Sequence, residues 1–251
     1  MFRLRIAGLA GCLLALSVLS VGAQDTDLKA LLRKTIAAHG GAQNLAKFKA
    51  VTSKFKGNME ILGFTVDVTG ETNFQKPDKL RNTMALDIKG KNIDVVTVYD
   101  GKKMWVSTMG TTKEIDDEKV LKAVREGLQI EGAGGFTEFL KPPYELSAVG
   151  EVKVKDKDAV GIRVSKKGQP DFSLFIDKKT HLLLKTEMRT IDSMGAKEVT
   201  QEKFILDYQD KNGLKVARRV EIHNDGKLFM TLKITDTQAF EKLDDSLFAM
   251  P

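Results

Sequence analysis

Between Asp171 and Asp236 apolar side chains recur at every second position, and turn residues break the pattern at short intervals. Phe172, Leu174 and Ile176 alternate with Ser173, Phe175 and Asp177, and Leu182 to Ile191 follows the polar break Asp177-Lys178-Lys179-Thr180. Val199 to Tyr208 comes next, then Asp210-Lys211-Asn212-Gly213, then Val216 to His223. Asn224-Asp225-Gly226 is the strongest hairpin signal in the chain, and Leu228, Met230, Leu232 and Ile234 share one side of the strand beyond it. Successive side chains of a strand point to opposite faces, so the stretch predicts an antiparallel meander with one apolar and one wetted face. Such a sheet needs something to cover its apolar face.

The same period governs the first half. Val51, Phe55, Met59 and Ile61 fall on one side, and Thr52, Lys54, Lys56, Asn58 and Glu60 on the other. After Gly63, Phe64, Val66, Val68, Thr72 and Phe74 alternate with polar residues over about 11 positions, a strand of roughly 35 Å that suits a wide, curved sheet. Beyond Lys76-Pro77-Asp78-Lys79, Leu80, Met84, Leu86 and Ile88 form the next apolar side, and Gly90-Lys91 leads into Ile93 to Tyr99. Asp100-Gly101 marks a hairpin before Lys102 to Thr108, which carries the single tryptophan, Trp105. Glu145 to Ser165 predicts two more strands around Lys155-Asp156-Lys157-Asp158.

Two segments change to helical spacing. Leu28, Leu31, Leu32, Thr35, Ile36 and His39 lie on one side of a helix running from Asp27, its expected N-cap, to Gly40-Gly41, with a further short turn over Ala42 to Phe48. Asp116-Asp117 opens a second helix on which Val120, Leu121, Val124 and Leu128 recur. Glu131-Gly132-Ala133-Gly134-Gly135 then precedes Phe136, Phe139, Leu140 and Pro142-Pro143. This segment reads either as an ordinary connection with its aromatic residues tucked into the core, or as a glycine-hinged apolar flap over the sheet. The tail from Leu243 to Pro251 is expected to dock through its apolar residues.

Met1 to Ala23 has the form of a secretory signal, with Arg3 and Arg5 before the apolar run Ile6 to Val21 and Val21-Gly22-Ala23 for cleavage, which leaves Gln24 first in a single domain of residues 24–251. The expected location is the periplasm. Cys12 lies within the signal, so the mature chain would hold no disulfide and rest on burial alone. Leu9-Ala10-Gly11-Cys12 also fits a lipoprotein box; against an acylated Cys12 anchor stand the few apolar residues between Arg5 and Cys12 and the apolar run continuing past it. Without the signal 38 basic residues face 34 acidic ones, a charge of +4 spread over lysines that alternate with apolar positions. That is the pattern of a solvated strand face, and it lacks the clustered, aromatic-interleaved basic residues of a nucleic-acid site.

No local motif points to catalysis. Ser53 and Lys56 have the serine-x-x-lysine spacing of acyl-transfer enzymes, but in a strand they face opposite ways. The glycines at 132, 134 and 135 follow a helix and lack the Gly-Lys-Ser/Thr ending of a phosphate loop. His39, His181 and His223 have no metal-type spacing, and Asp116-Asp117-Glu118 is explained by helix capping, so neither a metal nor a cofactor is called for.

Phe74-Gln75-Lys76-Pro77 with Leu80-Arg81, Tyr99-Asp100-Gly101-Lys102 with Trp105, and Asp245-Ser246-Leu247-Phe248 with Pro251 follow one another along the chain. Together these three patterns resemble the LolA-like family of periplasmic carriers, the outer-membrane lipoprotein-sorting proteins. The resemblance implies a mainly β fold with a few helices: an open antiparallel half-barrel wrapped around an N-terminal helix and a mid-chain lid helix, enclosing an apolar cavity. The chain departs from the pattern in a longer insertion from Asp116 to Pro143.

The expected function is a carrier that holds the acyl chains of a lipid or lipoprotein between the sheet and its helices, passing them between membrane-bound donor and acceptor proteins. The alternative is an envelope sensor or protein-interaction module of the same fold whose cavity its own side chains fill. Strand parity makes Phe55, Met59, Phe64, Val66, Val68, Met84, Leu86, Trp105, Phe172, Leu174, Met188, Phe204 and Met230 the expected lining, with Val124, Leu128, Phe136 and Phe139 as the lid.

Overall fold

The computed structural model describes residues 20–61, 63–131, 135–192 and 197–251, with side chains from residue 27 onward. Cys12 and most of the expected signal lie outside these residues, as do Gly132, Ala133 and Gly134 of the expected hinge.

The alternating stretches form strands β1 (Ala50–Ile61), β2 (Phe64–Gln75), β3 (Lys79–Ile88), β4 (Lys91–Tyr99), β5 (Met104–Thr108), β6 (Thr111–Ile115), β7 (Glu145–Val154), β8 (Lys157–Ser165), β9 (Phe172–Asp177), β10 (Leu183–Ile191), β11 (Glu198–Lys211), β12 (Leu214–Asn224) and β13 (Lys227–Phe240). All thirteen belong to one antiparallel sheet, ordered β6 to β1 and then β13 to β7. Each pair of neighbours is consecutive in the chain except β1 and β13, whose register from Ala50–Phe240 to Met59–Met230 joins the two halves. β6 and β7 are the free edges, so the sheet is open.

The helices are α1 (Ser20–Ala38), α2 (Gly41–Lys47) and α3 (Glu118–Ile130). α1 begins seven residues before Asp27, so Asp27 is an interior residue and not the N-cap, and the helix runs through the expected cleavage point after Ala23. α3 is capped as its sequence predicts: an Asp117 carboxylate oxygen accepts from the backbone N–H of Lys119 at 2.8 Å and of Val120 at 3.4 Å. Replacing that acceptor leaves first-turn donors dependent on water. Asp117→Ala is therefore expected to lower stability by about 1 kcal/mol, read from the midpoint of urea unfolding.

All three helices lie on one face of the sheet, here the inner face. Leu28, Leu32 and Ile36 of α1 pack with Phe136 and Phe139 onto Ile162, Leu174, Ile176, Leu183 and Ile205. Phe136 and Phe139 are each only 2% exposed. In this structure both rings are tucked into the core, as the first of the two readings has it. The outer face is apolar in places too. The tail folds into a 3-10 turn, Asp245–Phe248, and presses Phe248 and Leu247 onto Val98 and Trp105. Arg81 donates to the Leu247 carbonyl at 3.3 Å and the Leu243 N–H to the Gln75 side chain at 2.7 Å. Lys242 and Lys79, each 2.7 Å from Asp245, hold its carboxyl down at about 2. The tail thus docks as expected, and it covers the outside of the sheet.

Candidate functional site

Strand register organises the inner face of β1–β4 and β13 into rows. Met230, Met59 and Val66 are partners across neighbouring strands, as are Leu232, Gly57, Val68, Leu86 and Ile93, and then Ile234, Phe55, Gly70, Met84 and Val95. These rows make one apolar patch. Gly70 leaves room for both the neighbouring strand and the Phe55 ring, since a Cβ there would come 2.1 Å from the Thr83 carbonyl oxygen and 2.7 Å from Phe55 Cζ. The next row is polar: Thr237, Ser53, Thr72, Asn82 and Thr97. Asn82 Oδ1 in this row is buried without a hydrogen-bond partner. Beyond it the face turns apolar again with Phe74, Leu80, Tyr99 and Met104, and there α3 lays Leu121, Val124 and Leu128 on it.

Among the described residues the side chains packed in the patch all come from strands, and none comes from a helix. Val68 and Phe55 are buried at its centre, while Met84, Ile93, Val95, Leu232 and Ile234 keep part of their surface open. The patch reaches the rim formed by the β1–β2, β3–β4, β5–β6 and β12–β13 turns. Phe64 (61% exposed), Met109 (76%) and Leu228 (46%) stand at that rim, with Lys89 over the Phe64 ring at 5.2 Å. Beneath α3 the packing is close: the gap between Glu126, Gln129, Ile130, Phe172 and Met188 has about 10 Å³, room for roughly one water.

The expected lining residues therefore divide. Phe55, Met59, Phe64, Val66, Val68, Met84, Leu86 and Met230 come together on or at the rim of the patch, and Val124 and Leu128 cover its neighbour. Phe136, Phe139, Phe172, Leu174 and Met188 pack into the core under α1. Trp105 and Phe204 were expected inside and are on the outer face. Trp105 pairs with Val98 under the tail. Phe204 pairs with Lys185, which stacks on Phe175 at 4.2 Å and is bonded to Glu187 and Glu202. In both places adjacent residues are apolar, Met104-Trp105-Val106 and Phe204-Ile205, so either side of the strand fits the sequence pattern and only packing decides. Ile93 and Val95 belong to the patch although they were not among the expected residues. Their signal is pairing register, opposite Leu86 and Met84.

One titratable group is enclosed where α1 ends. His39 is 2% exposed, its Nδ1–H donates to the Thr35 carbonyl at 2.8 Å, and its ring meets Phe136 at 5.1 Å and Tyr208 at 5.5 Å edge to face. Burial pushes its pKa below the ordinary histidine value, against the opposing Thr35 bond. The folded state thus favours neutral imidazole. Its contribution is complete above about pH 6.5 and is lost as pH falls from there through the folded-state value. Unfolding free energies measured at pH 7.5 and 5.5 should fall, with a slope of at most about 1.4 kcal/mol per pH unit, and the fall should shrink in His39→Gln.

Among the described residues no three His, Cys, Asp or Glu side chains are placed to hold a metal ion, and no helix is long and apolar enough to cross a membrane. No protein-family model and no curated protein matches the chain. Solved structures do. A DUF1329 family protein from Desulfovibrio piger aligns over 88% of this chain and 96% of its own, with a TM-score of 0.57 and 13% identity. A putative outer membrane lipoprotein-sorting protein domain from Vibrio parahaemolyticus (TM-score 0.52, 12% identity) covers 88% of this chain and 95% of its own. A LolA superfamily protein from Nitrosomonas europaea (0.52, 10%) covers 88% and 96%. Open antiparallel sheet, helices on its inner face and these three likenesses together give the chain the LolA-like fold.

Proposed function

We propose that the protein is a periplasmic carrier which holds the acyl chains of a lipid or lipoprotein against the apolar inner face of β1–β4 and β13, exported by residues 1–23 as a cleaved signal. The observation that carries this reading is the apolar patch itself, without helical cover among the described residues and open toward a rim bearing Phe64 and Leu228. The likeness in fold to a putative lipoprotein-sorting domain and a LolA superfamily protein supports it. Burial is worth about 0.8 kcal/mol per methylene, so a chain of roughly 16 carbons leaves on the order of 12 kcal/mol to be replaced when it quits a membrane. The patch spans five strands, Met84, Ile93, Val95, Leu232 and Ile234 on it keep part of their surface open, and the flexible Met84 side chain suits an irregular ligand. An acyl chain at the rim meets Phe64 and Leu228 first and then the rows behind them. Membrane-bound donor and acceptor proteins belong to the same reading.

The gap of about 10 Å³ beneath α3 favours a second reading, a protein-interaction module of the same fold whose interior is filled by its own residues. Organic extraction of the purified protein followed by lipid mass spectrometry, together with titration by a fluorescent fatty acid, separates the two. Co-purified lipid, or saturable uptake near one chain per protein, supports the carrier; neither lipid nor uptake rules it out and leaves the module.

A further inference from the structure

The opposite rim of the same strands is basic. β1 begins there after Lys49, β2 runs out there into Lys76, β13 ends there before Glu241 and Lys242, and α2 brings Lys47 alongside. With Ala46 and Gln75 these residues line an open cleft of about 580 Å³, within the range of roughly 300–1,000 Å³ usual for small-molecule sites. Four lysines face one glutamate. Two of the lysines have acidic neighbours: Lys47 lies 3.9 Å from Glu241, and Lys242 is bonded to Asp245 at 2.7 Å. Lys49 and Lys76 have no carboxylate at ion-pairing distance among the described residues, although Lys76 also feels the charge of Glu138. Their backbones are paired, because the Lys76 N–H donates to the Lys49 carbonyl at 2.9 Å. Lys76 is partly buried, and that burial pushes its pKa below the usual lysine value; Glu138 opposes the shift and Lys49 adds to it.

We infer that this cleft binds a phosphoryl group, free or carried on a lipid headgroup, between Lys49 and Lys76, with Lys47 and Lys242 at its edges. The two ammonium groups repel each other, and a phosphoryl anion between them offsets that repulsion and supplies Lys76 with a counter-charge in place of the hydration that burial removes. Lysine suits the task as a compact point charge with three donors. The inference does not depend on acyl binding, because the cleft and the apolar patch lie at opposite ends of β1, β2 and β13.

The test uses the whole mature chain at low ionic strength. Calorimetric titration with inorganic phosphate reads the free anion, and co-sedimentation with phosphatidylcholine vesicles, with and without phosphatidylglycerol, reads the headgroup. Lys49→Gln/Lys76→Gln should weaken the wild-type interaction at least tenfold. Lys153→Gln/Lys227→Gln removes the same charge elsewhere and should leave it within twofold. Lys47→Gln/Lys49→Gln changes only exposed side chains and keeps the test open should the Lys76 variant fold poorly. Phosphate binding without vesicle binding makes the free anion the ligand; vesicle binding that needs phosphatidylglycerol and is lost in the cleft variants makes it the headgroup. The proposal is overturned by a wild-type protein that binds neither, or by equal losses in the cleft and the control variants.

Discussion

Val95→Asp and Leu232→Asp, each made alone, should lower the affinity for a fluorescent fatty acid at least tenfold and move the thermal transition by only a few degrees. Both side chains lie on the inner patch and both keep part of their surface open. A carboxylate at either place can therefore stay in water and keep its charge, so the folded protein bears little of the cost of burying an ion. A stability change near 1 kcal/mol corresponds to about 2–4 °C in a protein of this size. The bound state differs, because an acyl chain laid across the patch must strip water from the new carboxylate or lift away from it. Losing contact with two methylenes already costs about 1.6 kcal/mol, more than the 1.4 kcal/mol that a tenfold change requires. The positions are well separated, on β4 and β13 with β3, β2 and β1 between them. A ligand covering the patch must feel both. Affinity unchanged at both would remove this face as the acyl site, whatever lipid the protein is found to carry.

The positions that make this prediction were partly legible in the sequence, and the limit is physical. A period of two assigns residues to a side of a strand wherever one side is polar. In β1 and β2 the lysines, asparagines and acidic residues mark the outside, and Phe55, Val66 and Val68 are inside as the alternation requires. The hairpin at Asn224-Asp225-Gly226 was equally clear, because Asp225 (φ 50°) and Gly226 (φ 75°) both take the left-handed conformation such a turn needs. Trp105 and Phe204 escaped the rule since their outer surfaces are apolar as well, covered by the tail in one case and by lysine stems in the other. β6 carries Thr111, Thr112, Lys113 and Glu114 and has no apolar alternation to announce it; its pairing to β5 makes it a strand. Helix spacing showed that Val124 and Leu128 would be covered, but it carried no measure of the space beneath them. That depends on side-chain volumes meeting across the fold, here Phe172 and Met188 against Ile130.

Phe136→Ala should cost about 3–5 kcal/mol of stability and, in the protein that remains folded, leave fatty-acid affinity within about twofold. Phe136 is 2% exposed, 5.1 Å from the His39 ring and 6.5 Å from Phe139, in the cluster that joins α1 to β8, β9, β10 and β11. Removing the ring opens a cavity among side chains that belong to separate elements and cannot all close on it, which is the circumstance in which large-to-small changes cost most. Native stabilities are commonly 5–15 kcal/mol, so the loss is a large share of the total and should appear as a fall on the order of 10 °C in the thermal transition. A flap residue would behave in the opposite way. It would touch the ligand, spend part of its time in water, and on truncation would change affinity strongly and stability little. Val95→Asp and Phe136→Ala thus form a crossed pair, one losing binding without stability and the other stability without binding. If Phe136→Ala instead abolishes uptake while the transition stays in place, the segment from Phe136 to Leu140 is a lid over the ligand, and the acyl chain lies under it rather than on the open rows of β1–β4 and β13.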